Sequence, residues 1–281
     1  MEVQTRIVAR RSSFALLTDG FRNNGNGGED FAIVALLKDC SRKKDLDRGT
    51  KLHVDILKRG ILEKNPYLAS TLISMYAKCG ALAKAEEVLD MLPFRDIVSW
   101  NALIGGFATQ GHNYEAMNCF DRMQTEGFSP DAITFSCILK ACGSARAIEK
   151  GKQIHDEIAS RGWLKKDVVL GNALIVMYVK CSLLAKAQQV LEDLPVRNAI
   201  SWSALIAGYA QHQEAHQALK CFERMQSEGF FPDAITFTCI LKACGIDRGK
   251  QIYHEIIHMK CLNKHVKLGN VQVDCMQNVV S

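Results

Sequence analysis

Apolar residues recur along this chain with the spacing of an α-helix. Between Pro66 and Asp96 two such stripes follow each other, and a Lys-Cys-Gly turn at residues 78–80 separates them. Strand-type alternation of apolar and polar residues is absent from the sequence, so the pattern predicts an all-α fold made of helical hairpins. The first stripe consists of Leu72, Ile73 and Tyr76, and the second of Leu82, Ala85, Leu89 and Leu92.

The sequence also repeats itself at an offset of 102 residues, which indicates a stacked architecture. The segment AITFSCILKACG, which begins at Ala132, returns from Ala234 with 11 of 12 positions identical. Trp100 returns as Trp202 at the same offset. A recurrence of this length is far beyond chance.

Each 102-residue block divides into three units of 36, 31 and 35 residues, and each unit has the pattern of two helices. Because a single hairpin cannot bury both of its apolar stripes, the hairpins must stack side by side into an α-solenoid, a superhelix of helix-turn-helix repeats. Glycines that follow the second helix predict left-handed caps at Gly60, Gly127, Gly162 and Gly229. The predicted units are 30–65, 66–96, 97–131, 132–167, 168–198, 199–233 and a shortened 234–265.

The charge and the length of the apolar runs limit the kinds of partner that this chain can have. The 281 residues include 35 Lys and Arg and 30 Asp and Glu, so the formal net charge is +5, which permits nucleic-acid binding without demanding it. Charged residues interrupt every apolar run well before the roughly 18 to 20 residues of a membrane-spanning helix. We therefore expect no membrane partner.

Nine of the eleven cysteines recur at the 102-residue offset, which predicts small apolar side chains that fill the same niche in each block. The sequence has no CxxC pair, so the usual spacing of a zinc ribbon is missing. The recurring cysteines are Cys40, Cys142 and Cys244, together with the pairs Cys79 and Cys181, Cys119 and Cys221, and Cys137 and Cys239.

Two end segments differ from the repeats. Residues 1–29 carry arginines and hydroxyl residues before the glycine-rich NNGNGG, and we interpret them either as an organelle transit peptide or as a disordered leader. Residues 266–281 begin like the unit at Gly171 and then lose its pattern. We interpret that tail as a shortened repeat, and a truncated gene or a degenerate paralogue is an open alternative.

One motif could suggest an enzyme. The string HEIIH at His254 to His258 matches the spacing of zinc proteases, but the corresponding string DEIAS at residues 156–160 has no histidine. His53 and His155 recur at the 102-residue offset, which favours packed or capping histidines over a general base. We expect no catalytic residue, no metal, no cofactor and no small-molecule substrate.

The repeats resemble those of the pentatricopeptide repeat (PPR) proteins, and specifically the plant PLS subclass with its alternating unit lengths. The resemblance covers residues 30 to about 275. It is carried by SWNALIGGFATQG with EAMNCFDRMQTEGFSPD in the P-type unit, by ITFSCILKACG with GKQIHDEIASRG in the L-type unit, and by GNALIVMYVKC with AKAQQVLEDLPVRN in the S-type unit. L-type units are then 30–65, 132–167 and 234–265, S-type units 66–96 and 168–198, and P-type units 97–131 and 199–233.

The resemblance implies binding of single-stranded RNA, with one base recognised by each hairpin. In the family the fifth and last residues of a unit read the base. Family associations then give the order G, U, any base, C or U, and G. No base is assigned to Ser136 with Asp167, to Thr238 with His265, or to the apolar Val34. The reading pairs are Ser70 with Asp96, Asn101 with Asp131, Asn172 with Asn198, and Ser203 with Asp233.

Two further sets of residues complete the predicted site. The second residue of each unit grips the base in the family, although ordinary packing at a helix start is an alternative. Lysines would neutralise phosphates, or would simply be solvated. The gripping residues are Tyr67, Val98, Ile133, Val169, Ile200 and Ile235, and the lysines are Lys78, Lys140, Lys180 and Lys242.

Many PLS proteins direct cytidine-to-uridine editing of organelle transcripts, and their catalytic form ends in a deaminase-like domain. This sequence lacks the HxE with a later CxxC that such zinc-assisted chemistry needs, so E and DYW domains are not expected in it. The resemblance therefore implies an RNA-binding protein of a mitochondrion or chloroplast, with a deaminase supplied in trans. A helical scaffold that binds other proteins is the competing hypothesis.

Overall fold

In a computed structural model, residues 27–62 and 65–243 are described. They form helices and connecting turns, and no strand occurs within these two ranges. The all-α, solenoid-type fold class predicted from the sequence is confirmed. The helices are α1 (Gly27–Lys43), α2 (Leu46–Arg59), α3 (Pro66–Lys78), α4 (Leu82–Met91), α5 (Ile97–Gln110), α6 (Asn113–Thr125), α7 (Ala132–Ala145), α8 (Ile148–Ser160), a 3₁₀ turn (Trp163–Lys165), α9 (Val168–Lys180), α10 (Leu184–Asp193), α11 (Ala199–Gln211) and α12 (Ala215–Ser227), and residues 234–243 are also helical.

The chain divides into two compact units, one ending at Thr134 and the other beginning at Phe135. In the first unit, α1 packs against α3 and α3 packs against α5, so the first helices of successive hairpins form a continuous layer. In the second unit, α9 and α11 pack in the same way. Stacking of this kind buries the apolar stripes that a lone hairpin would expose to water.

Helix starts and ends follow local signals in the sequence. Asp96 begins α5 as an N-cap, since its side chain accepts a hydrogen bond from the backbone N–H of Ser99, and Asn198 caps α11 in the same way through Ser201. The four glycines predicted as left-handed caps have φ values between 61° and 86°, as a residue without a Cβ readily does. The turn at residues 78–80 ends α3 at Lys78, as predicted.

The core contains the predicted stripes and two tryptophans. Every residue of the two stripes in the segment 66–96 is buried. Trp100 and Trp202 are the largest fully buried side chains. The guanidinium groups of Arg122 and Arg224 lie over their rings at 5.3 and 5.4 Å, and both arginines also bind carboxylates of the preceding hairpin. The same packing therefore recurs in the two blocks.

An arginine fixes the junction between the second and third hairpin of each block. Arg95 donates hydrogen bonds to the carbonyls of Leu89 and Asp90 near the end of α4, and it also pairs with Glu126 on the next hairpin at 2.7 Å. Arg197 does the same at α10 and pairs with Glu228. Each arginine directly precedes an N-cap that belongs to a predicted reading pair.

Most of the recurring cysteines within the described residues are buried, three are half-buried, and Cys244 lies outside those residues. Burial raises the pKa of the Cys119 thiol to about 12 and that of Cys221 to about 11. The buried ones are Cys40, Cys119, Cys142, Cys181 and Cys221, and the half-buried ones are Cys79, Cys137 and Cys239. His53 Nδ1 lies 3.0 Å from the hydroxyl of Tyr76. His155 Nδ1 lies 2.8 Å from that of Tyr178, so these histidines bridge two hairpins.

Some of the sequence predictions concern residues outside the described ranges. These are the segment 1–26, the HEIIH string at 254–258 and the tail 266–281. Among the helices that are described, none combines the length and the apolar character that crossing a membrane requires.

Candidate nucleic-acid interface

The predicted reading residues of the unit 97–131 contact each other directly. Asn101 lies in the first turns of α5, and Asp131 directly precedes α7. The amide nitrogen of Asn101 donates to both carboxylate oxygens of Asp131, at 3.0 and 3.1 Å. Both side chains are partly exposed, so their remaining hydrogen-bonding atoms are accessible to a ligand.

A second predicted pair with an amide is Asn172 with Asn198, in the unit 168–198. Asn172 Nδ2 lies 3.5 Å from Asn198 Oδ1, a long contact for a hydrogen bond. Asn198 Oδ1 also accepts from the backbone N–H of Ser201 at 2.9 Å, because Asn198 is the N-cap of α11. The contact between the two predicted reading residues of the unit 97–131 is therefore repeated in the unit 168–198, but it is looser there.

The two serine pairs are more enclosed. Ser203 is 9% exposed, and its hydroxyl lies 2.6 Å from that of Thr236, which in turn lies 2.7 Å from a carboxylate oxygen of Asp233. Ser70 is 5% exposed and donates to the carbonyl of Tyr67. Asp96, the predicted partner of Ser70, accepts from the N–H and hydroxyl of Ser99.

The structure adds a third residue that the sequence analysis did not single out. It is the third residue of the helix after each reading pair, and it is always a hydroxyl residue. Its hydroxyl contacts the capping residue in all four cases and the reading residue in three of them. A signal was present, since Ser or Thr three positions after Asp or Asn is typical of a reciprocal helix cap. The four residues are Ser99, Thr134, Ser201 and Thr236.

The six residues predicted to grip the bases lie at the starts of the first helices, and all six are exposed apolar side chains. Their exposed fractions range from 52% for Tyr67 to 65% for Ile235. Packing of a helix start against its neighbours would have buried them, and it does not account for this exposure. Apolar side chains that recur singly at the same position of every unit are well placed to contact flat base faces.

The two predicted L-type units that lie within the described residues lack this arrangement. In the unit 30–65 the residue at the reading position, Val34, is buried, and Asn65 bonds instead to Asp30 at 3.0 Å. In the unit 132–167, Asp167 caps α9 through backbone N–H groups. The buried Leu170 occupies the place of the hydroxyl residue there.

The four predicted phosphate-binding lysines are all exposed. Lys180 donates to the hydroxyl of Ser144 at 3.1 Å. Lys38 was missed by the sequence analysis, although it precedes Lys140 by 102 residues. Its ammonium group bonds to the hydroxyl of Tyr67 at 2.7 Å and lies 5.2 Å from the ring centre, beside a predicted gripping residue.

Within residues 27–62 and 65–243 there is no group of three or more His, Cys, Asp and Glu side chains placed to hold a metal ion. Burial lowers the pKa of His53 and His155, and both face tyrosines between helices.

Known proteins contain repeats that are similar to these. Residues 95–144 and 197–245 match the PPR repeat family, and residues 68–97 match the PPR repeat. A chloroplastic pentatricopeptide repeat-containing protein of Arabidopsis thaliana is 40% identical over 77% of this chain and 35% of its own length. A mitochondrial one from the same plant is 36% identical over 79% of this chain and 21% of its own length. The chain thus spans about a third of such relatives or less.

Solved structures show the same fold. The structure of the pentatricopeptide repeat protein PPR10 in complex with an 18-nt psaJ RNA element superimposes with a TM-score of 0.69. It is 19% identical and covers 88% of this chain and 37% of that chain. A structure of PPR10 from maize gives a TM-score of 0.53 at 16% identity, over 89% of this chain and 44% of that one.

Proposed function

We propose that this chain, whose repeats are those of the pentatricopeptide repeat family, binds single-stranded RNA and reads one base with each S- and P-type unit. The observation that carries the proposal is the contact between Asn101 and Asp131. These two residues are 30 positions apart in the sequence, yet they form one partly exposed polar group at the start of a hairpin. A similar arrangement recurs at a second amide, Asn172, in the unit 168–198.

An amide held in this way offers both a donor and an acceptor. Asn101 shares one N–H between the two carboxylate oxygens of Asp131, and one lone pair of its Oδ1 accepts from Thr134. One N–H and one lone pair are left for a ligand. Uracil presents an oxygen and its N3–H side by side and complements such an edge. Because asparagine reaches further than serine, it leaves room for a pyrimidine more readily than for a purine.

The serine pairs offer a different edge. In the unit 199–233 the hydroxyl protons of Ser203 and Thr236 have protein acceptors, and Asp233 accepts only. The group therefore presents mainly acceptors to a ligand. Guanine is the base whose Watson–Crick edge carries two adjacent donors, N1–H and N2–H, and the short serine leaves space for a purine. The pair Ser70 and Asp96 would act in the same way.

Affinity independent of sequence would come from the exposed apolar residues and the lysines. Stacking of a base on an aromatic ring, here that of Tyr67, contributes about 1 to 3 kcal/mol. The exposed aliphatic residues would grip base faces through van der Waals contacts. They are Val98 and Ile133 in the first compact unit, and Val169, Ile200 and Ile235 in the second. Lys78, Lys140, Lys180 and Lys242 would neutralise phosphates.

We further place the protein in a mitochondrion or a chloroplast as a member of the PLS subclass, where it takes part in transcript processing such as C-to-U editing. Relatives with 40% and 36% identity are named chloroplastic and mitochondrial, which supports an organelle. In this proposal the chain selects the transcript, and a partner deaminase performs the base conversion. The alternating lengths of the units support the subclass.

Fluorescence anisotropy with labelled RNA tests the proposal. The full chain should bind an RNA that carries G, U, any base, C or U, and G in that order more tightly than an RNA of the same composition in scrambled order. Each mismatched base should weaken binding by about 1 to 3 kcal/mol. Equal affinity for both RNAs would contradict base reading, and absence of binding at low salt would favour a protein-binding scaffold.

Exchange of a single reading residue gives a sharper test. Asn101→Ser should shift the preference at its nucleotide from U toward G, because a shorter side chain and an acceptor-rich edge replace the amide. The matched change Asn172→Ser should alter only the nucleotide of its own unit. An unchanged preference in Asn101→Ser would refute the pairing of Asn101 with that base.

A further inference from the structure

The units with an assigned base differ from the units 30–65 and 132–167, which have none, in the residue three positions after the last residue of the unit. That residue is the third residue of the next helix. After the four units with an assigned base it is Ser99, Thr134, Ser201 or Thr236, and after the units 30–65 and 132–167 it is Leu68 or Leu170. Both leucines are buried and have no group that could bond to a reading residue.

The hydrogen bonds at Asn101 determine the orientation of its amide. A carboxylate accepts hydrogen bonds and does not donate them, so the atom of Asn101 that faces Asp131 at 3.0 and 3.1 Å must be the nitrogen. The amide oxygen then faces Thr134 Oγ1 at 2.6 Å. Two oxygens at this distance need a hydrogen between them, so we assign the hydroxyl proton of Thr134 to Asn101 Oδ1 and not to Asp131 Oδ1, which lies farther away at 2.9 Å.

The same hydroxyl position serves the second block. Ser201 donates to Asn172 Oδ1, while the contact from Asn172 Nδ2 to Asn198 is 3.5 Å long. In the unit 199–233 the hydroxyl of Thr236 lies between Ser203 and Asp233 and contacts both. The position therefore links the two reading residues in each of these three units.

We infer that this hydroxyl residue is a positioning residue for base recognition, an inference that rests on the proposed function. At Asn101 the carboxylate of Asp131 holds the amide nitrogen, and the hydroxyl of Thr134 holds the amide oxygen. Without the hydroxyl the amide is held at one end only, so the direction of its free donor and acceptor toward the base is no longer fixed. Helix capping alone does not require this bond, because Asp131 already accepts from the backbone N–H of Thr134 at 2.8 Å.

The test compares three full-length proteins: the unchanged chain, Thr134→Val and Thr134→Ser. Valine has the shape of threonine without the hydroxyl, and serine keeps the hydroxyl. Binding is measured by anisotropy with four RNAs that differ only at the nucleotide assigned to Asn101. We expect Thr134→Val to lose about fivefold of its discrimination in favour of U, as for one lost hydrogen bond, and Thr134→Ser to retain the discrimination. Ser201→Ala, the matched control, should affect only the nucleotide of Asn172.

A second measurement needs no RNA. The side-chain amide signals of Asn101 in a ¹H–¹⁵N spectrum, identified by their loss in Asn101→Ser, should be two well-separated peaks in the unchanged chain. They should shift and draw together in Thr134→Val, because the oxygen is no longer held. Thermal unfolding of the same samples establishes that the variants are folded.

The outcomes separate the two claims. If the unchanged chain does not discriminate among the four RNAs, the proposed function fails, and this inference fails with it. If the chain discriminates and Thr134→Val does so equally well, only the positioning role is overturned. A Thr134→Val protein that binds all four RNAs more weakly by the same factor has lost stability or general affinity alone, which also overturns the positioning role.

Discussion

Asn101 and Asn172 are the fifth residues of the units 97–131 and 168–198, yet their amides are held by different partners. Asp131 binds the amide nitrogen of Asn101 with both carboxylate oxygens, whereas Asn198 offers Asn172 one oxygen at 3.5 Å. A charged acceptor makes shorter and stronger hydrogen bonds than a neutral one. The amide of Asn101 is therefore held more firmly, in line with the proposed preference for a single base there and the proposed choice between two pyrimidines at Asn172.

Histidines between the hairpins should make stability depend on pH. Burial lowers the pKa of His155 in the folded chain below the value of about 6.5 that an unfolded histidine has. The unfolded chain then binds more protons as the pH falls below about 6.5, so folded stability is lost in that direction. Nearby Asp156 and Asp193 partly oppose the shift, and Lys186 adds to it.

The measurement is urea unfolding of the unchanged chain and of His155→Gln at several pH values. At pH 7.5 the variant should be less stable, since it loses the contact with Tyr178. This difference should shrink between pH 7 and pH 5, because only the unchanged chain has the histidine to protonate. His53→Gln should behave in the same way through Tyr76. A difference that is constant with pH would contradict the assignment.

Single residues also show what the sequence could and could not reveal. Asn101 and Asp131 were paired through the family resemblance, and the structure brings them into contact. The bond from Thr134 could not be foreseen, because hydroxyl residues at this helix position are explained well enough as caps. Burial of Ser70 was also missed, because serine belongs to the residue types that are mostly exposed in folded proteins.

At the scale of helices, close approach between first helices depends on glycine at one position of each block. A Cβ added to Gly106 on α5 would lie 2.5 Å from the Cβ of Ala77 on α3, and one added to Gly208 would lie 2.6 Å from a methyl of Val179. The sequence shows both glycines at the 102-residue offset, but a contact between two particular helices is visible only in the fold. Most of the helix starts, in contrast, follow from a capping Asp or Asn and were readable directly.

Alanine substitutions test this contact. Gly106→Ala should reduce the free energy of unfolding by about 1 to 3 kcal/mol, because the two helices must move apart. Gly105→Ala is the matched control, since the corresponding residue of the second block is Ala207. That change should be neutral or stabilise the chain by up to about 1 kcal/mol through helix propensity. The free energies are measured by urea unfolding, and equal effects of the two substitutions would refute the close contact.

At the scale of the whole chain, the formal charge of +5 is modest, so the proposed RNA binding would depend on where the cations lie. Lys78, Lys140, Lys180 and Lys242 all lie on first helices, which also carry the predicted reading residues. Lysines on second helices carry the same charge but lie on the other layer of the hairpins. Replacing the lysines of one helix layer at a time therefore distinguishes specific phosphate contacts from the effect of net charge.

Two quadruple variants make the comparison, and each lowers the formal charge from +5 to +1. Replacement of Lys78, Lys140, Lys180 and Lys242 by Gln should weaken RNA binding. It should also reduce the slope of log affinity against log salt concentration by about 0.7 for each lysine that contacts a phosphate of a single strand. Replacement of Lys84, Lys152, Lys186 and Lys220, all exposed on second helices, should leave that slope nearly unchanged. If both variants lower the slope equally, then net charge alone attracts RNA and the first-helix lysines do not define its path.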